Sequence, residues 1–258
     1  GQHRAGEPIA LPAKTSSFQP WGDALAAYAG SDALYAEKPY WLTQMGEGVP
    51  PLPVDRAIEG MGEIGTTRLR PIALDAEQTR ALLQECHQAY RTQINELLLA
   101  GVYLGMRAWT GQPSLRVRLE GHGREALFDE LDVTSTVGWF TSVYPLTLTS
   151  ATASVGDVVR AVKEQCRAIP HHGVGYGLLR YLAQDTDIVA AVGAEPELEF
   201  NHLGQFDHVL NERTVFQAAA EGVGEKIGPR RRRMHQLGLS GKIFGGELNL
   251  VLDYSALQ

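Results

Sequence analysis

Between residues 94 and 119 the hydrophobic period of the chain changes from that of a helix to that of a strand, and no other feature restricts the fold as strongly. Ile94, Leu97, Leu98, Gly101, Val102, Gly105 and Trp109 recur at i, i+3/i+4 spacing. That stripe predicts a helix opened by Thr92 or Asn95 and ended by Gly111-Gln-Pro113. Leu115, Val117 and Leu119 then alternate with Arg116, Arg118 and Glu120, which predicts a strand with one apolar and one polar face. An amphipathic helix running into a half-polar strand needs a mixed architecture, with helices packed on a sheet.

The flanking segments extend the same reading. Residues 1–16 are polar and broken by Pro8 and Pro12, an extended lead-in. Ser16 or Ser17 is placed to cap a helix over 18–28 with Trp21, Leu25 and Tyr28 on one face, and a second short helix is expected over 32–43. The glycines and prolines of 46–62 mark a loop or linker. Strands are expected over 66–72, 115–119, 143–149 and 198–203. The C-terminal part reads as strands over 234–240 and 247–254, with a turn at Gly241 and a break at Gly245-Gly246. Asp75 caps a helix to about residue 89, and further helices are expected over 154–168 and 177–183. The division that follows is 1–62 as a helical lead-in and linker, then 63–258 as one α/β lobe.

Composition narrows the function classes. Lys+Arg 23 against Asp+Glu 30 gives a net charge of −7, unfavourable for a nucleic-acid binder. The Arg230–Arg233 run reads as a solvated loop. The apolar run Leu97–Met106 is too short to span a bilayer, and the N-terminus lacks the pattern of a secretory leader. The two cysteines, Cys86 and Cys166, form no CxxC, which fits a reducing cytoplasm better than a disulfide framework.

Several motifs bear on chemistry. Gly121-His-Gly-Arg-Glu-Ala126 fits the loose dinucleotide fingerprint GxGxxA, but only about ten residues separate it from Asp132, too few for a crossover helix. Gly173-Val-Gly-Tyr-Gly177 precedes a helix but lacks the Lys-Ser/Thr of a phosphate loop. His171 and His172 are adjacent, so their side chains diverge, and no metal site is expected. Glu120 closes the alternating strand just before Gly-His-Gly. A carboxylate there is suited to proton transfer, although an exposed strand-end glutamate is an equally simple reading.

Four segments in order then carry a family resemblance: Glu120-Gly-His-Gly-Arg-Glu125, Thr136-Val-Gly-Trp-Phe-Thr141 with Tyr144-Pro145, Pro170 followed by Gly173 to Leu182, and Pro196 to Phe206. Together they resemble the epimerization domain of nonribosomal peptide synthetases, within the condensation-domain superfamily. The resemblance implies a V-shaped, two-lobe relative of chloramphenicol acetyltransferase with its active site in the tunnel between the lobes. It implies inversion of the α-carbon of an aminoacyl or peptidyl thioester, carried on the phosphopantetheine arm of a peptidyl carrier protein, with no cofactor bound directly.

By the resemblance, Glu120 is the acid/base, Asn201 positions substrate or enolate, and His202 replaces the tyrosine usually found there. His122, Arg124, Trp139 and Tyr176 shape the loop and the pantetheine tunnel. The family's HHxxxDG does not occur; the one His-His pair, His171-His172, is followed by Tyr176 where the aspartate would stand. The chain is therefore expected to be the C-terminal lobe alone, inactive by itself, with self-association through the exposed lobe interface. Rival readings are a catalytically silent carrier-protein docking module and a condensation-type acyltransferase lobe.

Overall fold

The computed structural model describes residue 2 and residues 6–46, 48–56, 60–191, 195–208, 221, 222 and 224–257; parts of the expected lead-in and of the 46–62 loop lie outside these. Six strands, β1 (Thr67–Leu74), β2 (Ser114–Gly121), β3 (Ser142–Thr149), β4 (Leu198–Gln205), β5 (Leu237–Phe244) and β6 (Glu247–Ser255), form one sheet. Their order is β1-β6-β5-β4-β2-β3. The β2–β4 and β4–β5 pairs are parallel and the other three antiparallel, so the sheet is mixed, as expected.

The expected first helix forms as α1 (Phe18–Tyr28). Ser17 occupies its N-cap position, but neither its side chain nor any other caps the helix. The single helix expected over 32–43 is two: α2 (Asp32–Tyr35), capped by Ser31, and α3 (Lys38–Met45), which starts at a proline in its first turn. Asp75 opens α4 (Ala76–Arg80) with a full capping box to Gln78. A π-helical turn, Ala81–Cys86, leads on into α5 (His87–Tyr90).

The strongest helix is α6 (Ile94–Thr110), closed by Gly111 in the left-handed conformation. It is capped by neither Thr92 nor Asn95. Gln93 takes the cap position and Glu96 reaches back to the Gln93 N–H at 2.7 Å. Then follow α7 (Val155–Arg167), α8 (Val174–Gly177) with the π-helical Leu178–Leu182, and α9 (Thr186–Ala191).

The core lies between α6, α7 and one sheet face. Leu115, Val117, Leu119, Leu198 and Phe200 are all buried there with Leu99, Tyr103, Val158 and Val162. Leu34 and Trp41 of α2 and α3 belong to the same apolar cluster. The second sheet face is not simply solvated, contrary to the alternation. Arg116 is buried because α3 ends over it: it donates to the Gly46 carbonyl and to Thr147 Oγ1, while Thr147 is tied to Gln44.

Two further expectations are corrected. The turn expected at Gly241 is strand, within β5. A side chain there would run into Leu250 of β6, so glycine permits close strand packing, and the hairpin turns instead at Gly245-Gly246, both with positive φ. Of the arginine run, Arg230, Arg231 and Arg232 are exposed, but Arg233 is buried and paired with Asp253.

Candidate functional site

The carboxyl ends of the parallel strands β2 and β4 open onto a cavity of about 330 Å³ beside the N-terminus of α6. Such crevices at strand ends are common ligand sites in α/β sheets. Glu120, His202, Leu119, Phe200 and Asn95 line it, with Tyr144 and His172 on the far side. Two of the expected residues meet there: Asn201 Nδ2 donates to Glu120 Oε2 at 2.7 Å. The strand register explains the meeting, because Leu119 pairs with Phe200 and the next residues along are Glu120 and Asn201.

The surroundings raise the proton affinity of Glu120. Desolvation at the cavity mouth is the largest cause, and the Glu199 carboxylate adds to it; the Arg118 guanidinium and the Asn201 amide pull the other way. Glu199 is itself held below the usual carboxylate range, mainly by His235. His235 lies between Glu199 and Asp253. Burial alone would lower its pKa, but the two carboxylates overcome that and push it up to about 9.

His202 is in the cavity wall but is poorly placed as a proton shuttle. Its Nδ1 meets Asn95 Oδ1 at 2.8 Å, its Nε2 is buried without a partner, and desolvation lowers its pKa toward the neutral ring.

The other expected residues lie apart from this pair. His122 is exposed; its Nδ1 accepts from the Arg124 N–H and its Nε2 lies 3.4 Å from Glu125. Arg124 is structural: it donates to the Val133 carbonyl and stacks 4.0 Å from the Phe140 ring centroid. Gly123, between them, has φ +67°, and a Cβ there would overlap the Phe140 carbonyl, so the loop after β2 requires glycine. No helix opens in this loop, which removes the structural basis for a dinucleotide fingerprint.

Tyr176 is buried against Trp41 and lines a second cavity of about 560 Å³ with Arg118, Arg180 and Met234. Trp139 is 83% exposed beside Val137 at 94%. His171 and His172 both have positive φ and diverge, one toward Glu37 and one toward Glu125. Among the described residues no group of three or more His, Cys, Asp or Glu is arranged to hold a metal, and no helix is long and apolar enough to cross a membrane.

Sequence reasoning missed Glu199, His235 and Asp253. The signal for Glu199 was available, since it stands two residues before Asn201 and so shares its strand face. His235 and Asp253 come from distant segments and have no local signature.

This fold and strand-end site define a condensation-type domain, and the chain belongs to the condensation-domain family, whose model matches residues 1–258. It is 37% identical over 251 residues to bacitracin synthase 3 of Bacillus licheniformis, covering 97% of this chain and 4% of that protein. It is 36% identical over 269 residues to tyrocidine synthase 1 of Brevibacillus parabrevis, covering all of this chain and 24% of that protein. The chain thus spans a small part of the length of these relatives. Among solved structures it is similar to the epimerization domain from the third module of tyrocidine synthetase B, with a TM-score of 0.88 and 36% identity. That match covers all of this chain and 57% of the other. The X-domain from teicoplanin biosynthesis, at 16% identity and TM-score 0.65, shares the fold; the match covers all of this chain and 58% of that one.

Proposed function

We propose that this chain is the C-terminal lobe of an amino-acid epimerization domain and that Glu120 is its proton-transfer group. The reading is carried by the Glu120–Asn201 pair at the strand-end cavity, within a chain 36% identical to a solved epimerization domain. The substrate is an aminoacyl or peptidyl thioester presented by a carrier protein on its phosphopantetheine arm. A thioester acidifies the α-proton because the carbanion delocalises into an enolate. Glu120, with its raised proton affinity, takes that proton or returns one, while Asn201 fixes the orientation of its carboxyl.

Inversion needs a second group on the opposite face of the α-carbon. His202, with its Nε2 buried, does not supply it. The group proposed is the histidine of HHxxxDG, from a lobe packed against the exposed Val137 and Trp139. The absence of HHxxxDG from these residues favours a second reading, a carrier-protein docking module without chemistry.

Carrier-bound L-aminoacyl thioester, hydrolysed after incubation and resolved by chiral chromatography, separates the two. The epimerase reading expects no D-product with this chain alone and D-product once a lobe carrying HHxxxDG is bound. No D-product from the associated pair leaves the docking module standing.

A further inference from the structure

The glutamate one strand over from Glu120 is built into a chain of ion pairs that the proton transfer above leaves without a role. Arg118 pairs with Glu199 in the parallel register, so Glu199 lies on the sheet face that carries Glu120 and Asn201. Glu199 Oε2 is 2.5 Å from His235 Nδ1, just before β5. His235 Nε2 is 3.5 Å from Asp253 Oδ1 on β6, and Arg233 Nη2 reaches the same oxygen at 2.6 Å. The Arg233 side chain is 2% exposed.

Gly238 of β5 lies in register between Glu199 and Asp253. A Cβ at that position would overlap Asp253 Oδ2 and come within 2.7 Å of His235 Nε2. The sheet therefore leaves out a side chain where the imidazole and carboxylate lie across it. A close-packed, glycine-dependent ion-pair chain ending on the neighbour of Glu120 is a built feature, unlike a scatter of surface charges.

We propose that Glu199, clamped by His235, is a positioning residue for Glu120: the two carboxyls form a pair in which Glu199 stays ionised and the proton that the pair binds goes to Glu120. The catalytic meaning of this rests on the epimerase reading; the order of protonation does not. Glu199 has a cationic partner, whereas the direct hydrogen-bond donor to Glu120 is a neutral amide. Two carboxyls in such unlike surroundings are driven apart in proton affinity, and the opposite directions found for Glu120 and Glu199 agree.

The remaining charges near Glu120 do not reverse this order. Arg118 attracts both carboxyls. Across the cavity Glu96 is paired with Arg167 at 2.9 Å, His202 is driven toward its neutral form, and His172 is directed to Glu125. In the reaction the α-proton moves from carbon to a Glu120 oxygen and the C–H electron pair enters the thioester as an enolate. Return of a proton to the α-carbon restores a neutral substrate and the Glu120 carboxylate. Glu199 changes neither its bonds nor its charge.

Carboxyl-carbon NMR titration of this chain, with Glu120 and Glu199 assigned by substitution, tests the order directly. Glu120 should titrate above Glu199, and Glu199→Gln should lower the Glu120 midpoint by about one pH unit. His235→Gln should raise the Glu199 midpoint and erase the order, a second variant that serves if Glu199→Gln fails to fold. A Glu120 midpoint below that of Glu199, or one unmoved in both variants, overturns the proposal. In the assembled domain, the acid limb of the pH–rate profile for α-proton exchange should move down with Glu199→Gln. Absence of exchange in the unsubstituted domain would refute the epimerase reading while the titration still decides the carboxyl pair.

Discussion

Asn201 Nδ2 ties the end of β4 to the Glu120 carboxylate at the end of β2 across 2.7 Å. Those residues are 81 apart in sequence, and only the parallel register of the two strands brings them together. Asn201→Ala removes a donor to the charged form of Glu120, so the Glu120 pKa should rise further above its ordinary value. Loss of one such bond is expected to slow α-proton exchange about tenfold. The measurement is exchange by the assembled domain across pH; an unchanged rate with an unchanged acid limb would remove Asn201 from the site.

Gly123 should be the least replaceable position in the loop after β2. Gly123→Ala sets a Cβ against the Phe140 carbonyl on a backbone with φ +67°. Strain of this kind costs about 1–3 kcal/mol before the clash is counted. Urea unfolding should show a loss at least that large, whereas a variant as stable as the parent would mean that the loop rearranges without cost.

Gly238→Ala tests the ion-pair chain by crowding it. The new methyl would displace the Asp253 carboxylate and press on His235. Overpacking of a tight site is expected to cost about 1–3 kcal/mol. The loss should be smaller in a background already carrying His235→Ala, and equal losses in the two backgrounds would show that Gly238 and His235 are not coupled.

His235 gives stability a defined dependence on pH. Its pKa is about 9 in the folded chain, against an ordinary value of 6.5. The folded state binds this proton more tightly, so the contribution is complete below about pH 6.5 and is lost as pH rises through about 9. The carboxyls of Glu199 and Asp253 are held low, so their contribution is present above their ordinary range and is lost as pH falls through the depressed values. Unfolding free energy measured on both sides of that alkaline window should drop more in the parent than in His235→Gln; equal drops would show that His235 is not held protonated.

The periodic parts of the fold were legible because local pattern and tertiary packing agree there. The stripe from Ile94 to Trp109 becomes α6, and the alternation from Leu115 to Leu119 becomes β2. Local pattern failed where a distant segment settles the outcome. Arg116 reads as a solvent-facing residue of an alternating strand, yet the end of α3, about 70 residues earlier, covers it. Gly241 reads as a turn, but Leu250 of the next strand fills the space beside it. Thr92 and Asn95 are the better capping types, yet Gln93 takes the cap because Glu96 completes the box.

The site divides in the same way. Glu120 stood out through its position at a strand end before glycines, and the residues that set its proton affinity did not, since they reach it from β4, the segment before β5, and β6.

The central claim is that Glu120 moves the α-proton, and one measurement bears on it most directly. A carrier-bound aminoacyl thioester is incubated in deuterated buffer with the assembled domain, parent or Glu120→Gln, and deuterium at the α-carbon is followed by mass spectrometry. Glutamine keeps the shape and a hydrogen-bonding group but cannot take a proton. Loss of a positioned acid/base should therefore slow exchange by about 10²–10⁴-fold while binding of the carrier persists. Exchange by Glu120→Gln at the parent rate would contradict the account and assign the proton transfer to another group.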